Sequence, residues 1–135
     1  MFVLANLLNA AAYNDVDGAE KDATLANTIN GDAVGYLASA AASVGATFVH
    51  YSTDYVFDGT KKDSYREDDA PNPISAYGQS KLLGEEAALS LRAEAFPLLA
   101  GEGRVRSEQR VYLIRTSRLF GKQGSGKQGF VDLML

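Results

Sequence analysis

Tyr77 and Lys81 stand four residues apart in Ser75-Ala76-Tyr77-Gly78-Gln79-Ser80-Lys81-Leu82. On a helix that spacing puts both side chains on one face. A phenol ordinarily ionises at about pH 10, and an ammonium beside it favours the phenolate and brings that value down. Such a pair is suited to act as a general acid on a carbonyl being reduced. Taken alone it fits equally well a surface tyrosine lying beside a lysine. Upstream, Ser52-Thr53-Asp54-Tyr55-Val56-Phe57 closes a predicted strand, and ligands of open α/β sheets bind at the carboxyl ends of strands. A hydroxyl there, that of Thr53, can hydrogen-bond the same oxygen that Tyr77 protonates. The plainer alternative is that Ser52 and Thr53 only end the strand and start a turn.

These groups need elements to hold them. Phe2 to Ala12 is an apolar run ending in small residues, which fits a buried strand feeding a loop. Asp15 and Asp17 sit at a helix start, and Glu20 follows Asp17 at the spacing of a capping box. A long helix is predicted from about Ala23 to Val44, with Leu25, Ile29, Ala33, Leu37 and Ala40/Ala41 as its apolar stripe and Gly45 as its terminator. Thr47 to Ser52 reads as a strand, Asp58 to Pro73 as a polar loop, and a second helix starts at Ser75, its cap. Val111 to Ser117 reads as a further strand, followed by a glycine-rich loop from Gly121 to Gly129. The order indicates α/β architecture around a parallel sheet. Residues 1–135 are read as one partial domain, with an exposed insertion at about 92–110.

Composition narrows the chemistry. With 135 residues, 46% hydrophobic and 22% charged, the chain is about one globular domain or a piece of one. It contains no cysteine, which excludes disulfides, thiol catalysis and cysteine-ligated metals. A single histidine, His50, argues against a histidine metal site, so no metal is expected. The apolar start is short, carries Asn6 and Asn9 and has no basic leader. It is expected to be neither a signal peptide nor a membrane span, and a cytoplasmic location is expected. The net charge of −4 argues against nucleic-acid binding. That charge is uneven: residues 1–70 hold 4 basic and 11 acidic side chains, residues 71–135 hold 9 and 6. The later basic excess is expected to be a solvated face, with contact to a nucleotide phosphate as the other reading.

Gly121-Lys122-Gln123-Gly124-Ser125-Gly126-Lys127-Gln128 nearly fits a phosphate-binding loop after a strand. Gln128 stands where a hydroxyl residue must ligand magnesium, so a nucleotide triphosphatase is only a remote alternative.

Several ordered blocks resemble the dTDP-4-dehydrorhamnose reductases, members of the extended short-chain dehydrogenase/reductases. They are Asn9-Ala10-Ala11-Ala12-Tyr13 with Asp15-Val16-Asp17 and Ala19-Glu20; Val49 to Gly59; Tyr65 to Asp69 with Pro71-Asn72-Pro73; Ser75 to Leu82 with Gly84-Glu85; and Ile114-Arg115-Thr116-Ser117. The likeness runs from Asn6 to Gly121 apart from the connection at Arg92 to Arg110. It implies a Rossmann-type, doubly wound parallel sheet that binds NADPH or NADH and reduces the 4-keto group of a nucleotide sugar. By matching position, Tyr77 is the general acid, Lys81 lowers its pKa and holds the nicotinamide ribose, and Thr53 orients the carbonyl. Ala11, Ala12 and Tyr13 line the cofactor, which Tyr77 and Lys81 also contact, and Thr53, Asp54 and Arg118 face the substrate. The implied partner is a nucleotide sugar, without nucleic acid or membrane, and a homodimer is allowed. A non-catalytic, dinucleotide-binding regulatory subunit of the same fold is the alternative.

Two departures accompany the resemblance. Arg118 stands where the family usually has a tryptophan packed on the substrate, so it either pairs with the nucleotide diphosphate or points to solvent. The family's first strand and its Gly-x-x-Gly-x-x-Gly pyrophosphate loop are expected ahead of residue 1, and its C-terminal substrate region beyond residue 135. Because that loop and the helix after it bind the pyrophosphate, residues 1–135 alone are expected to bind NADPH poorly and to turn over little. Isothermal titration checks this, and micromolar affinity would contradict it.

Overall fold

β-Branched and aromatic residues from Thr47 to Thr53 form the central strand of a three-stranded sheet. The computed structural model describes residues 6–93 and 110–117. Strand β1 (Asn6–Asn9) leads into helix α1 (Val16–Lys21), then α2 (Ala23–Asn27), a π-helical turn (Thr28–Asp32) and α3 (Ala33–Ser43). Strand β2 (Thr47–Thr53), a 3₁₀ turn (Asp54–Val56), helix α4 (Ala76–Ala93) and strand β3 (Val111–Thr116) complete the order. All pairing is parallel, in the order β1-β2-β3, with Asn9 opposite His50 and Thr53 opposite Thr116. Right-handed crossovers between strands laid down in sequence put their helices on the same face.

That face holds the core. Phe48 packs with Val34, Ala38, Ala41, Ala46 and Ala88, flanked by Leu7, Leu37, Val111 and Leu113. Period-two alternation turns Leu8, Tyr112 and Ile114 to the opposite face, where all three are exposed. Helices therefore cover one face of the sheet among the described residues. No described helix is long and apolar enough to cross a membrane.

Helix ends follow their side chains. Asp15 Oδ1 accepts from Gly18 N at 2.9 Å and Asp22 Oδ1 from Leu25 N at 2.9 Å, so each caps a first turn. Gly45, at φ 69°, ends α3 in a Schellman arrangement: Ala46 N donates to Ala41 O (2.9 Å) and Gly45 N to Ala42 O (3.1 Å). Glu20 does not close a capping box on its own helix. Its Oε1 accepts from Ala76 N at 2.7 Å and so caps the distant helix α4.

The expected long helix forms as α2, the π turn and α3, but its buried stripe differs from the predicted one. Ala26, Asn30, Gly31, Val34, Ala38 and Ala41 are buried, whereas Leu25 is 43% exposed. Small residues face inward because the π turn packs backbone to backbone on α4. A Cβ at Gly84 would collide with the Asn30 carbonyl oxygen, and one at Gly31 would press on Leu83. The connection expected at 92–110 and the glycine-rich loop at 121–129 lie, but for the end of α4 and for Arg110, outside the described residues.

Candidate active site at the carboxyl ends of the strands

Parallel pairing brings the ends of β1 and β2 to one edge of the sheet, and α4 lies across it. Thr53 is the last residue of β2, and its Oγ1 accepts from Tyr55 N at 3.2 Å, starting the 3₁₀ turn. The same hydroxyl donates to Asp54 Oδ1 at 3.2 Å. The turn carries Tyr55 over Tyr77, their rings edge-on at 5.7 Å. Ser75 caps α4 through Gly78 N (3.0 Å) and sets the rotation that aims Tyr77 at this turn. Gly78 is required there, because a Cβ would strike the Tyr55 carbonyl oxygen.

Thr53 and Tyr77 do meet, and Lys81 is held deeper. The Tyr77 phenol is raised above its ordinary value, first by burial, while a side-chain hydrogen bond with Thr53 pulls it down and Tyr55 and Asp54 push it up. This corrects the expectation that Lys81 lowers it. The Lys81 ammonium is committed to the Tyr51 carbonyl oxygen at 2.6 Å, and burial of the phenol outweighs the hydrogen bond with Thr53. Tyr77 is consequently a protonated donor throughout the neutral range. Burial also lowers Lys81 itself, to about 8, against a pull upward from Glu85.

The loop after β1 carries Ala11, Ala12 and Tyr13, with Ala11 exposed and the other two half-buried. Two asparagines hold it. Asn9 Oδ1 accepts from Ala11 N at 3.1 Å, and Asn9 Nδ2 donates to His50 Nδ1 at 3.1 Å. Asn30, in the π turn, accepts from Tyr13 N (2.8 Å) and donates to Tyr13 O (3.0 Å) and Ser80 Oγ (2.9 Å). Ser80 Oγ in turn donates to Tyr77 O at 2.7 Å. The loop and the tyrosine helix are thereby fixed to each other through one amide. Asn30→Ala strands both backbone groups of Tyr13. Since Tyr13 is half-buried and water replaces part of the loss, the expected cost is about 2 kcal/mol, read from urea unfolding.

Sequence reasoning missed Asn9, Asn30 and His50. Signals existed: an asparagine is a poor choice for a helix interior unless its side chain has a partner, and His50 shares the inward parity of Phe48. Arg118 lies outside the described residues. No cluster of metal-ligating side chains occurs among the described residues.

Comparison with known proteins finds a matching family and similar folds. The RmlD substrate binding domain family matches residues 4–135. The dTDP-4-dehydrorhamnose reductase of Burkholderia thailandensis is 60% identical over 81 residues, which are 60% of this chain and 27% of that protein. The structure of dTDP-4-dehydrorhamnose reductase from Bacillus anthracis in complex with NADP superposes with a TM-score of 0.76 at 37% identity, covering 94% of this chain and 38% of that one. Methionine adenosyltransferase 2 subunit beta of Bos taurus is 43% identical over 100 residues, which are 71% of this chain and 30% of that protein. The chain thus spans 27–38% of the length of these relatives. The parallel sheet with its crossover helices is Rossmann-like, as in the solved reductases.

Proposed function

The chain belongs to the RmlD substrate binding domain family, and from that premise we propose that it carries the catalytic segment of an NAD(P)H-dependent reductase acting on the 4-keto group of a dTDP-sugar. The single observation behind this reading is the meeting of Thr53, Tyr77 and the Asp54–Val56 turn at the end of β2, with buried Lys81 one helical turn away. The residues suit a dinucleotide. Ala11 and Ala12 leave backbone approachable, and the buried Lys81 ammonium, bonded to the Tyr51 carbonyl oxygen, keeps two further donors. A bound nicotinamide supplies hydride to C4 of the sugar. Tyr77 delivers the proton to the C4 oxygen, for which burial keeps it loaded. Thr53 turns its hydroxyl proton from Asp54 Oδ1 to that oxygen while still accepting from Tyr55 N, and so aligns it, and Asp54 faces the sugar. Lys81 holds the nicotinamide ribose hydroxyls, and Ala11, Ala12 and Tyr13 line the cofactor; Arg118 contacts the substrate. A cytoplasmic location, a homodimeric assembly and synthesis of a cell-surface polysaccharide precursor belong to the same reading.

The test is oxidation of NADPH or NADH by the full-length gene product in the presence of a dTDP-4-keto sugar. Ketone-dependent oxidation supports the reading and its absence sinks it. The relative named as a subunit of methionine adenosyltransferase 2 favours a second reading, a non-catalytic subunit that binds a dinucleotide or nucleotide sugar. Cofactor binding without ketone reduction selects that reading.

A further inference from the structure

One turn beyond Lys81, on the same face of α4, lies Glu85, and both are almost fully buried. Residues of this kind seldom enter an interior unless paired. Arg115, from β3, grips the Glu85 carboxylate with both arms of its guanidinium: Nε to Oε1 at 3.0 Å and to Oε2 at 3.2 Å, and Nη2 to Oε2 at 2.6 Å. Arg115 is itself seated over the Phe57 ring at 4.9 Å. Lys81, by contrast, touches no carboxylate at ion-pair distance among the described residues; its ammonium reaches the Tyr51 carbonyl oxygen.

We propose that Glu85, locked in place by Arg115, is the positioning residue that keeps Lys81 a cation inside the protein. The proposal rests on the reading of Lys81 as the cofactor-side lysine, and it adds what that lysine needs in order to stay charged. The other titratable and charged groups around it oppose or ignore that charge. His50, from β2, is neutral at physiological pH, and Tyr77, on α4, keeps its proton. Arg115, from β3, is positive, and it is tied up by Glu85 and attracted by Glu67. Asp54 and Tyr55, on the 3₁₀ turn, press on Tyr77. Among the described residues it is the negative charge of Glu85 that favours the lysine's charged form, against the burial that draws it to about 8. Losing that attraction carries the lysine towards the amine at neutral pH. An amine holds two donors where the ammonium holds three, and so grips ribose hydroxyls and the Tyr51 carbonyl less well.

The test reads Lys81 directly. The side-chain carbons of isotopically labelled lysine are followed by NMR through a pH titration of the 135-residue chain, the Lys81 signal being assigned by its loss in Lys81→Met. Wild type is expected to titrate at about 8. Glu85→Gln keeps the volume and an acceptor for Arg115, and its titration is expected about one pH unit lower, about a tenfold larger share of amine. Arg115→Gln removes a neighbouring positive charge while the Gln amide can still donate to the Glu85 carboxylate and hold it, and the Lys81 titration is expected to move upward. Simple loosening of the fold would readmit water and raise Lys81 in both variants, so the opposite signs identify the electrostatic role. An unchanged or raised value in Glu85→Gln overturns the proposal. Where Glu85→Gln does not fold, the double variant Glu85→Gln/Arg115→Gln replaces it, with a lowered value expected and an unchanged or raised value overturning. Where neither folds, an unchanged or lowered value in Arg115→Gln overturns it. In a ketone-reducing enzyme the alkaline limb of kcat moves down with the Glu85→Gln titration. Failure of the reductase assay would sink the function and leave the titration result standing.

Discussion

Replacing Tyr77 by Phe in the full-length gene product is expected to lower turnover of a dTDP-4-keto sugar by about 10²–10⁴-fold, the span that a positioned proton donor contributes. The ring remains, so its edge-on packing against Tyr55 at 5.7 Å is kept and only the transferable proton is lost. The effect therefore falls on kcat, with the KM for NAD(P)H changed little. The pH dependence carries a second signature. Burial raises the phenol, so Tyr77 does not limit the rate at mildly alkaline pH. Lys81 loses its proton at about 8, and activity is expected to decline as pH rises through that value. Steady-state NADPH oxidation across pH measures both effects. A Phe variant as fast as wild type would mean that another group delivers the proton.

The second large effect is on stability in acid. His50 is fully buried and lowered from 6.5 to about 4, first by burial and then by the positive charge of Lys81, with Glu85 and the Asn9 contact pulling the other way. Between those two values the unfolded chain binds a proton that the folded chain refuses. Stability is thus fully present above about 6.5 and is lost as pH falls to about 4. A difference of 2.5 between 6.5 and 4 corresponds to about 3 kcal/mol. Because His50 is the single histidine, the loss is assignable. In His50→Gln, which keeps an acceptor for Asn9, the slope of stability against pH in this window is expected to flatten in urea-unfolding series. Asp58 and Asp69 act lower down. Hydrogen bonds hold Asp58 below its ordinary 3.8, chiefly from Thr60 N, then Asn72 and Tyr65, and Asp69 is lowered chiefly by Lys61. Their stabilising effect disappears below the His50 window. A wild-type slope as flat as that of the variant would show that His50 is not the acid-sensitive group.

Local chemistry was legible in the residues themselves. Strand β2 follows from its β-branched and aromatic run, α4 from the Ser75 cap, and the end of α3 from Gly45, because each depends on propensities and hydrogen bonds within a few residues. Tyr77 and Lys81 could be placed on one helical face, and Thr53 at a strand end, from spacing alone. The long-range partners could not be read that way. Glu20 caps a helix 56 residues away, Asn30 joins Tyr13 to Ser80, and Arg115 meets Glu85 across 30 residues. Spacing along the chain holds no information about which distant polar group will be shut away from water beside which other. The inward stripe of α2 and α3 was misplaced for the same reason: apolar periodicity favoured Leu25, while backbone contact with α4 at Gly84 selected small residues and an amide. The sign of the Tyr77 shift also belongs to the folded state. A lysine four residues on favours the phenolate only if its charge faces the phenol, and here it points to a carbonyl of the neighbouring strand while burial sets the balance.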